Sequence, residues 1–283
     1  MIAKYHNLAL TAALGLAFVF TFGCDDKDSP ASPPAVLPPP SAVAPKPAAP
    51  KAAVPKIVPC PNAATGAAFV SCGGQVYKTV KIGKQVWMAE NLNYDVPSTA
   101  TDVCYEYKKE NCAKYGRLYN WATAMALPPK CNSISSKDDA DCAVKSPTHQ
   151  GICPSGWHIP RSERFNVIIS GYVSKLRTKS GWNSYVHDPC CGHECIPGCT
   201  ESKVTLSGNG TDSYGFAALP GGYGSMYKGK LTFYGIGGAG FWWTATELGD
   251  DKANGSRIFS DDNYEGDDDN DKVNLLSIRC LKD

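Results

Sequence analysis

The alternation of apolar and polar positions changes character several times along the chain, and each change predicts an element. Leu8 to Phe20 is an apolar run, long enough for the core of a signal segment and too short to span a bilayer. From Ser29 to Pro59 apolar residues lose any period, and the stretch is nearly all Pro, Ala, Val, Lys and Ser. It holds eleven of the 21 prolines and no aromatic residue. Such a stretch cannot build a core and predicts an extended, polyproline-like tether; about thirty residues at ~3.1 Å each reach roughly 100 Å. Further on, Val76, Lys78, Val80 and Ile82 open a strand-like region. Gly83-Lys84 turns it and Gln85-Val86-Trp87-Met88 returns, which predicts a β-hairpin.

Two stretches carry a helical period. Leu118, Trp121, Ala122 and Met125 fall at i, i+3, i+4 and i+7, stopped by Pro128-Pro129. Phe165, Ile168, Ile169, Tyr172, Val173 and Leu176 form the strongest stripe, predicting the main helix, with Pro160 just before it and Ser162 as its cap. The segment Gly151 to Pro160 leads into that helix and has little backbone freedom to lose, with two prolines and an indole that needs a core. Short strands are expected over 204–206, 214–219, 230–234, 241–247, 256–259 and 273–281. Helices followed by antiparallel strands indicate an α+β domain, with the chain ends adjacent if the first hairpin pairs with the last strand.

Composition adds a compartment. A net charge of +1 over 283 residues gives no basic balance for nucleic acid. Thirteen cysteines are too many for a reduced cytosolic protein and point to an oxidising compartment. Lys4 and His6 precede the apolar run, which ends in Thr21-Phe22-Gly23-Cys24. This resembles a bacterial lipoprotein signal, in which Cys24 becomes the lipidated first residue, although Thr21 stands where that signal usually has Leu. An ordinary cleaved signal is the other reading. Removing Cys24 leaves an even number of cysteines, which favours the lipoprotein. The expected organisation is a signal peptide at 1–23, a lipid-anchored tether at 24–59 and a disulfide-rich domain at 60–283 that carries a Cys-rich insertion at 183–203. Cys60–Cys72, Cys104–Cys112 and Cys131–Cys142 each close a short loop and are expected pairs.

Seven ordered motifs carry a family resemblance. They are Tyr77 to Gly83, Gln85 to Tyr94 (QVWMAENLNY), Tyr115 to Trp121 (YGRLYNW), Gly151 to Pro160, Asp212 to Tyr223 (DSYGFAALPGGY), Trp243 to Glu247 (WTATE) and Ser277 to Asp283 (SIRCLKD). Together they make the region from about Gly73 onward resemble the Fibrobacter succinogenes major paralogous domain family. That family is similar to the C-type-lectin-like fold, also used by formylglycine-generating enzymes, and its members are typically exported or lipid-anchored proteins of unknown activity. The resemblance implies that Cys153 and Cys280, both in structural motifs, form a disulfide rather than a reactive pair. It also implies that Trp87, Trp121, Trp157 and Trp243 are core. Two departures stand out: Arg161, Arg164 and Phe165 replace the family's Ser-x-x-Glu-Trp helix start, so a capping box is lost, and the Cys190 to Cys199 cluster is an insertion.

Candidate chemistry is sparse. His187, Cys190, Cys191, His193, Cys195 and Cys199 have spacings that zinc accepts, but the preferred reading is that the four cysteines pair as short-range disulfides. Asp261, Asn263 and Glu265, with Gly266, echo the start of a calcium loop, yet Lys272 occupies the position of its bidentate Glu. A solvated acidic loop over 247–271 is the competing reading, and no other cofactor is indicated. No serine or carboxylate pair accompanies His158, and catalysis is not expected. Trp242 points opposite to Trp243 in a strand; with Tyr223, Tyr227, Phe233 and Tyr234 it is the candidate aromatic platform for sugar rings, against the alternative of a covered Trp242. The expectation is a non-catalytic, lipid-anchored cell-envelope module that binds polysaccharide or another envelope component. An outer-membrane or cell-surface position is expected, with a ligand-free structural coat or an enzyme on the same fold as alternatives.

Overall fold

The computed structural model describes residues 57–66, 68–97, 101–170, 173–190, 200–261 and 265–283. The signal segment, Cys24 and the tether up to residue 56 lie outside the described residues. In chain order the first half gives β1 (Asn62–Thr65), β2 (Phe69–Cys72), β3 (Gln75–Ile82), β4 (Gln85–Met88), β5 (Asp102–Val103), α1 (Lys109–Tyr115), β6 (Leu118–Tyr119), α2 (Trp121–Ala124), β7 (Trp157–His158), α3 (Ser162–Ile169) and α4 (Val173–Leu176). The second half is almost all strand: β8 (Tyr185–His187), β9 (Val204–Leu206), β10 (Gly221–Tyr227), β11 (Lys230–Ile236), β12 (Ala239–Glu247), β13 (Lys252–Phe259), β14 (Glu265–Asp271) and β15 (Leu281–Lys282). The domain is α+β, as the hydrophobic pattern implies, and rich in disulfides, as the cysteine count implies.

Two sheets organise it. The first has the order β1-β2-β3-β4-β15-β7. Its β3–β4 hairpin is the one that the alternation and the Gly83 turn predict, and Leu281 of β15 pairs with both Trp87 and His158. The chain end therefore lies between the first hairpin and the entry to the main helix. The second sheet has the order β11-β10-β12-β13-β14, antiparallel except where β10 meets β12 through Gly222 and Gly240. A Cβ on Gly222 (φ +66) would sit 2.3 Å from the Tyr234 carbonyl, and one on Gly240 would sit 2.5 Å from the Trp242 ring. Only glycine permits that approach.

The segment 274–280 joins the sheets. Leu275 exchanges backbone hydrogen bonds with Gly224, and Leu276 with Tyr119. Ser277 bonds to Phe241 and Trp243, Ile278 accepts from Leu92 and Cys280 from Met88. The expected strand over 273–281 is thus a strand only at its end. Its other residues change partner one by one, so each serves a different neighbour, and 275–281 are all buried. Arg279 within it is fully buried. Its guanidinium donates to Asn91 Oδ1 (2.7 and 3.1 Å) and to the Met88, Phe216 and Ala217 carbonyls, stacked 4.3 Å from the Phe216 ring. Burial pulls Arg279 down to about 9.

Two cores flank β12. Trp243 faces a cluster with Trp121, Trp157, Tyr119 and Ile278. Trp242 faces the other, where Phe165, Ile168, Ile169, Val173 and Leu176 present the expected apolar stripe to Trp87, Phe216 and Ile258. The stripe is carried by two helices rather than one: Ser170 leaves helical backbone (ψ 110) at the end of α3, and Tyr172 lies outside the described residues. The helix start also differs. Arg161 is the N-cap and offers no side-chain cap; Ser162 is the first helical residue, and its hydroxyl lies 3.1 Å from Thr246 Oγ1. Leu118 belongs to β6, and α2 is a single buried turn capped by Asn120, whose Oδ1 accepts from the Thr123 amide. The expected strand 214–219 is a turn instead, with Asp212 (φ 46) and Ala217 (φ 52) in left-handed backbone. Asp212 Oδ1 accepts from the Ala217 amide there.

The four expected pairings, Cys60–Cys72, Cys104–Cys112, Cys131–Cys142 and Cys153–Cys280, are all present. Cys190 is also disulfide-bonded; Cys191, Cys195 and Cys199 lie outside the described residues.

Candidate functional site

Alternation along the second sheet sets a row of rings on one face at its open margin. Tyr223 of β10 pairs in register with Tyr234 of β11, and the rings are 5.7 Å apart. Phe241 of β12 lies 4.7 Å from Tyr223 and 5.9 Å from Phe259 of β13. The middle of this row is core, since Phe241 is buried, whereas Tyr234 is 48 % exposed and Tyr223 and Phe259 are half-buried. Partly exposed rings therefore flank a buried one, and the exposed ring edges are backed by packed aromatic core.

A polar border completes the concavity, which has a volume of about 380 Å³. Arg257, opposite Phe241 in the β12–β13 register, lies 5.3 Å from the Phe259 ring. It donates through Nη1 to Asp268 Oδ1 at 2.7 Å, while its Nε is buried with no acceptor among the described residues. Asn270 donates to the second Asp268 oxygen at 3.0 Å. Asn274 Oδ1 accepts from the Met226 amide, leaving its NH2 on the same border. Burial pushes the Tyr223 phenol up from its usual range, with Tyr234 and Asp268 adding to the shift. At neutral pH it is a neutral donor beside an anchored guanidinium–carboxylate pair. Rings flanked by fixed donors and acceptors suit a ligand with C–H faces and hydroxyl edges.

Of the five expected platform residues, the structure brings together Tyr223 and Tyr234. Tyr227 is exposed on the same side of β10 but four residues along, about 13 Å away, beside Lys228 at the hairpin tip. Trp242 is not on the platform. It is fully buried, its indole NH donating to Asn91 Oδ1 at 2.8 Å and its ring 5.8 Å from Phe165. The strand does turn Trp242 away from Trp243, but α3 covers that side. Phe233 likewise faces Tyr105 and Tyr107. Phe241, Phe259, Arg257, Asp268, Asn270 and Asn274 escaped sequence reasoning. The i, i+2 spacing of Arg257 and Phe259 was the signal for their sharing a face.

The acidic stretch after Glu247 is a β-hairpin rather than a solvated loop. Lys252 pairs with Asp271 and Arg257 with Asp268, so two cations sit on the strand facing the carboxylates. Asp261 is exposed, Asn263 lies outside the described residues, and Glu265 already begins β14. From there the strand sends alternate acids to opposite faces. Among the described residues no group of three or more His, Cys, Asp or Glu is placed to hold a metal. Lys272 supplies a cation of its own. Fully buried, its ammonium donates to Glu247 Oε1 (2.6 Å), the Asp250 carbonyl (3.0 Å) and the Ile134 carbonyl (3.4 Å), 4.7 Å from the Trp121 ring. In the insertion, His187 is exposed on β8 and His193 lies outside the described residues. The disulfide on Cys190 removes one thiolate from any zinc set. His158, buried in β7, has its Nδ1 2.6 Å from Asp283 Oδ1.

Comparison with known proteins gives one finding: a family model, described as the Fibrobacter succinogenes major domain, matches residues 80–282. No curated protein and no solved structure matches the chain.

Proposed function

From the premise that this chain belongs to the Fibrobacter succinogenes major domain family, we propose that it is a non-catalytic binding module of the cell envelope, held by a lipid on Cys24. The single observation behind the binding role is the continuous, partly exposed row Tyr234, Tyr223, Phe241 and Phe259, bordered by Arg257, Asp268 and Asn270. The ligand is a polysaccharide, whose ring faces stack on Tyr234 and Tyr223 while hydroxyls meet the polar border. One exposed ring contributes modestly, so firm attachment comes from many copies on one surface. We read the fold as C-type-lectin-like, which the pairing of the first hairpin with the last strand supports. The Gly23-Cys24 junction and the proline-rich stretch support the anchor and tether. No helix among the described residues is long and apolar enough to cross a membrane.

The test is retention of the full-length protein on insoluble polysaccharides such as cellulose, chitin and xylan. Tyr234→Ala and Tyr223→Ala should each abolish retention on the polymer that binds, with an unchanged melting profile for Tyr234→Ala because that ring is exposed. Retention that survives both substitutions moves the site elsewhere. An intact protein that ignores every polymer favours a structural coat.

A further inference from the structure

A second, larger concavity of about 740 Å³ lies on the first sheet, between the β3–β4 turn, the start of α3 and β15. Four cations from three separate segments line it: Lys84, Arg161, Arg164 and Lys282. Two carboxylates share the cleft. Asp283 is engaged by His158 at 2.6 Å, and Glu163 lies 3.7 Å from Arg161 and is 70 % exposed. Lys84, Arg164 and Lys282 have no carboxylate within ion-pairing distance among the described residues. The cleft therefore holds surplus positive charge in a chain whose net charge is only +1. Val167, one turn along α3 from Arg164 and 70 % exposed, adds an apolar wall.

Local sequence gives the cations their places. Arg161 occupies the N-cap of α3, a position that Ser, Thr, Asp or Asn would ordinarily fill. Arg164 lies on the same first turn, and its carbonyl accepts from Gln85 Nε2 (3.2 Å), which ties the helix start to the hairpin that carries Lys84. A guanidinium fork at a cap site forfeits capping and presents a planar bidentate donor to the cleft. A concave, cationic cleft with one apolar wall fits a discrete anionic ligand better than a flat membrane surface, and its volume lies within the usual range for ligand pockets, about 300–1,000 Å³.

We infer that this cleft is a second carbohydrate site, selective for acidic sugars, in which Arg161 and Arg164 take a uronate carboxylate, Lys84 and Lys282 take its neighbours along the chain, and Val167 packs against a ring face. The carbohydrate nature of the ligand rests on the binding role proposed above; the place and charge selectivity of the site do not.

The experiment titrates full-length protein with oligogalacturonate and with its methyl ester, by calorimetry at low and at physiological salt. The expected result is binding of the acid, at least tenfold weaker binding of the ester, and affinity that falls as salt rises. Arg161→Gln/Arg164→Gln should weaken the acid at least tenfold. Lys84→Gln should do so less, and it serves as the charge test if the arginine variant fails to fold. Tyr234→Ala should leave oligogalacturonate binding unchanged, so that failure of the aromatic face and failure of this cleft are read separately. Equal affinity for acid and ester, or none for either, overturns the proposal. Inorganic tripolyphosphate binding as tightly as the uronate replaces the sugar assignment with a general anion site.

Discussion

At the scale of single residues, this domain places charges inside and gives each a specific answer. Lys272 is the clearest case, since its ammonium is fully buried against Glu247 and Trp121. Removing one partner of such a pair leaves an uncompensated charge, at a cost of about 3–5 kcal/mol. Lys272→Met should therefore lose stability on that order in urea unfolding, and adding Glu247→Gln should recover part of it. Simple addition of the two single losses would show the pair to be uncoupled. Asp102 is the opposite case. Burial pushes its carboxyl up to about 6, although Arg117, 3.0 Å away, pulls it down. The folded state then keeps a proton that the unfolded chain, near 3.8, gives up. This group favours folding fully below about pH 4, and its contribution is lost as pH rises towards 6, by at most about 3 kcal/mol. Asp102→Asn should become more stable relative to the parent between pH 4 and 6.5, and a pH-independent difference would remove this account.

At the scale of elements, what was legible in the sequence is what hydrophobic period and turn residues dictate together. The β3–β4 hairpin, the stripe from Phe165 to Leu176 and strands β11 to β13 were legible because apolar spacing and turn residues agreed. Strand β10 was not, because GGYGSMY has glycine where its partners press closest. Strand β14, EGDDDND, reads as a loop until Lys252 and Arg257 are seen on the facing strand. Of the candidate site, Tyr223 and Tyr234 were legible as aromatics in a glycine-rich stretch. Trp242 was misplaced because strand alternation gives a direction and says nothing of which helix covers that side. The start of α3 yields a prediction at this scale. Arg161 already has extended cap backbone (φ −75, ψ 160) and no side-chain cap. Arg161→Asp should stabilise the domain by about 1 kcal/mol through capping and the helix dipole. The same change should weaken the acidic-sugar cleft. A variant that is no more stable than the parent in urea would mean that the helix start is already satisfied.

At the scale of the whole molecule, one covalent link spans what the hydrogen bonds distribute. The segment 274–280 bonds to both sheets residue by residue, so its placement depends on both being formed. Cys153–Cys280 ties that segment to the entry of α3 across a sequence separation of 127, whereas Cys104–Cys112 closes a separation of 8. In the loop-entropy model the long link contributes ~4–5 kcal/mol and the short one ~2–3 kcal/mol. A polymer-binding module pulled by its tether would resist unfolding through the long link, because it closes a loop holding α3, α4 and the whole aromatic sheet. Cys153→Ala/Cys280→Ala should therefore lower the melting temperature by roughly 10–20 °C for a domain of this size. Cys104→Ala/Cys112→Ala should lower it by about half as much, and both variants should keep retention on the polymer below their melting points. Equal losses for the two pairs would show that loop length does not set their contributions, and that the cores around β12 alone hold the chain end in place.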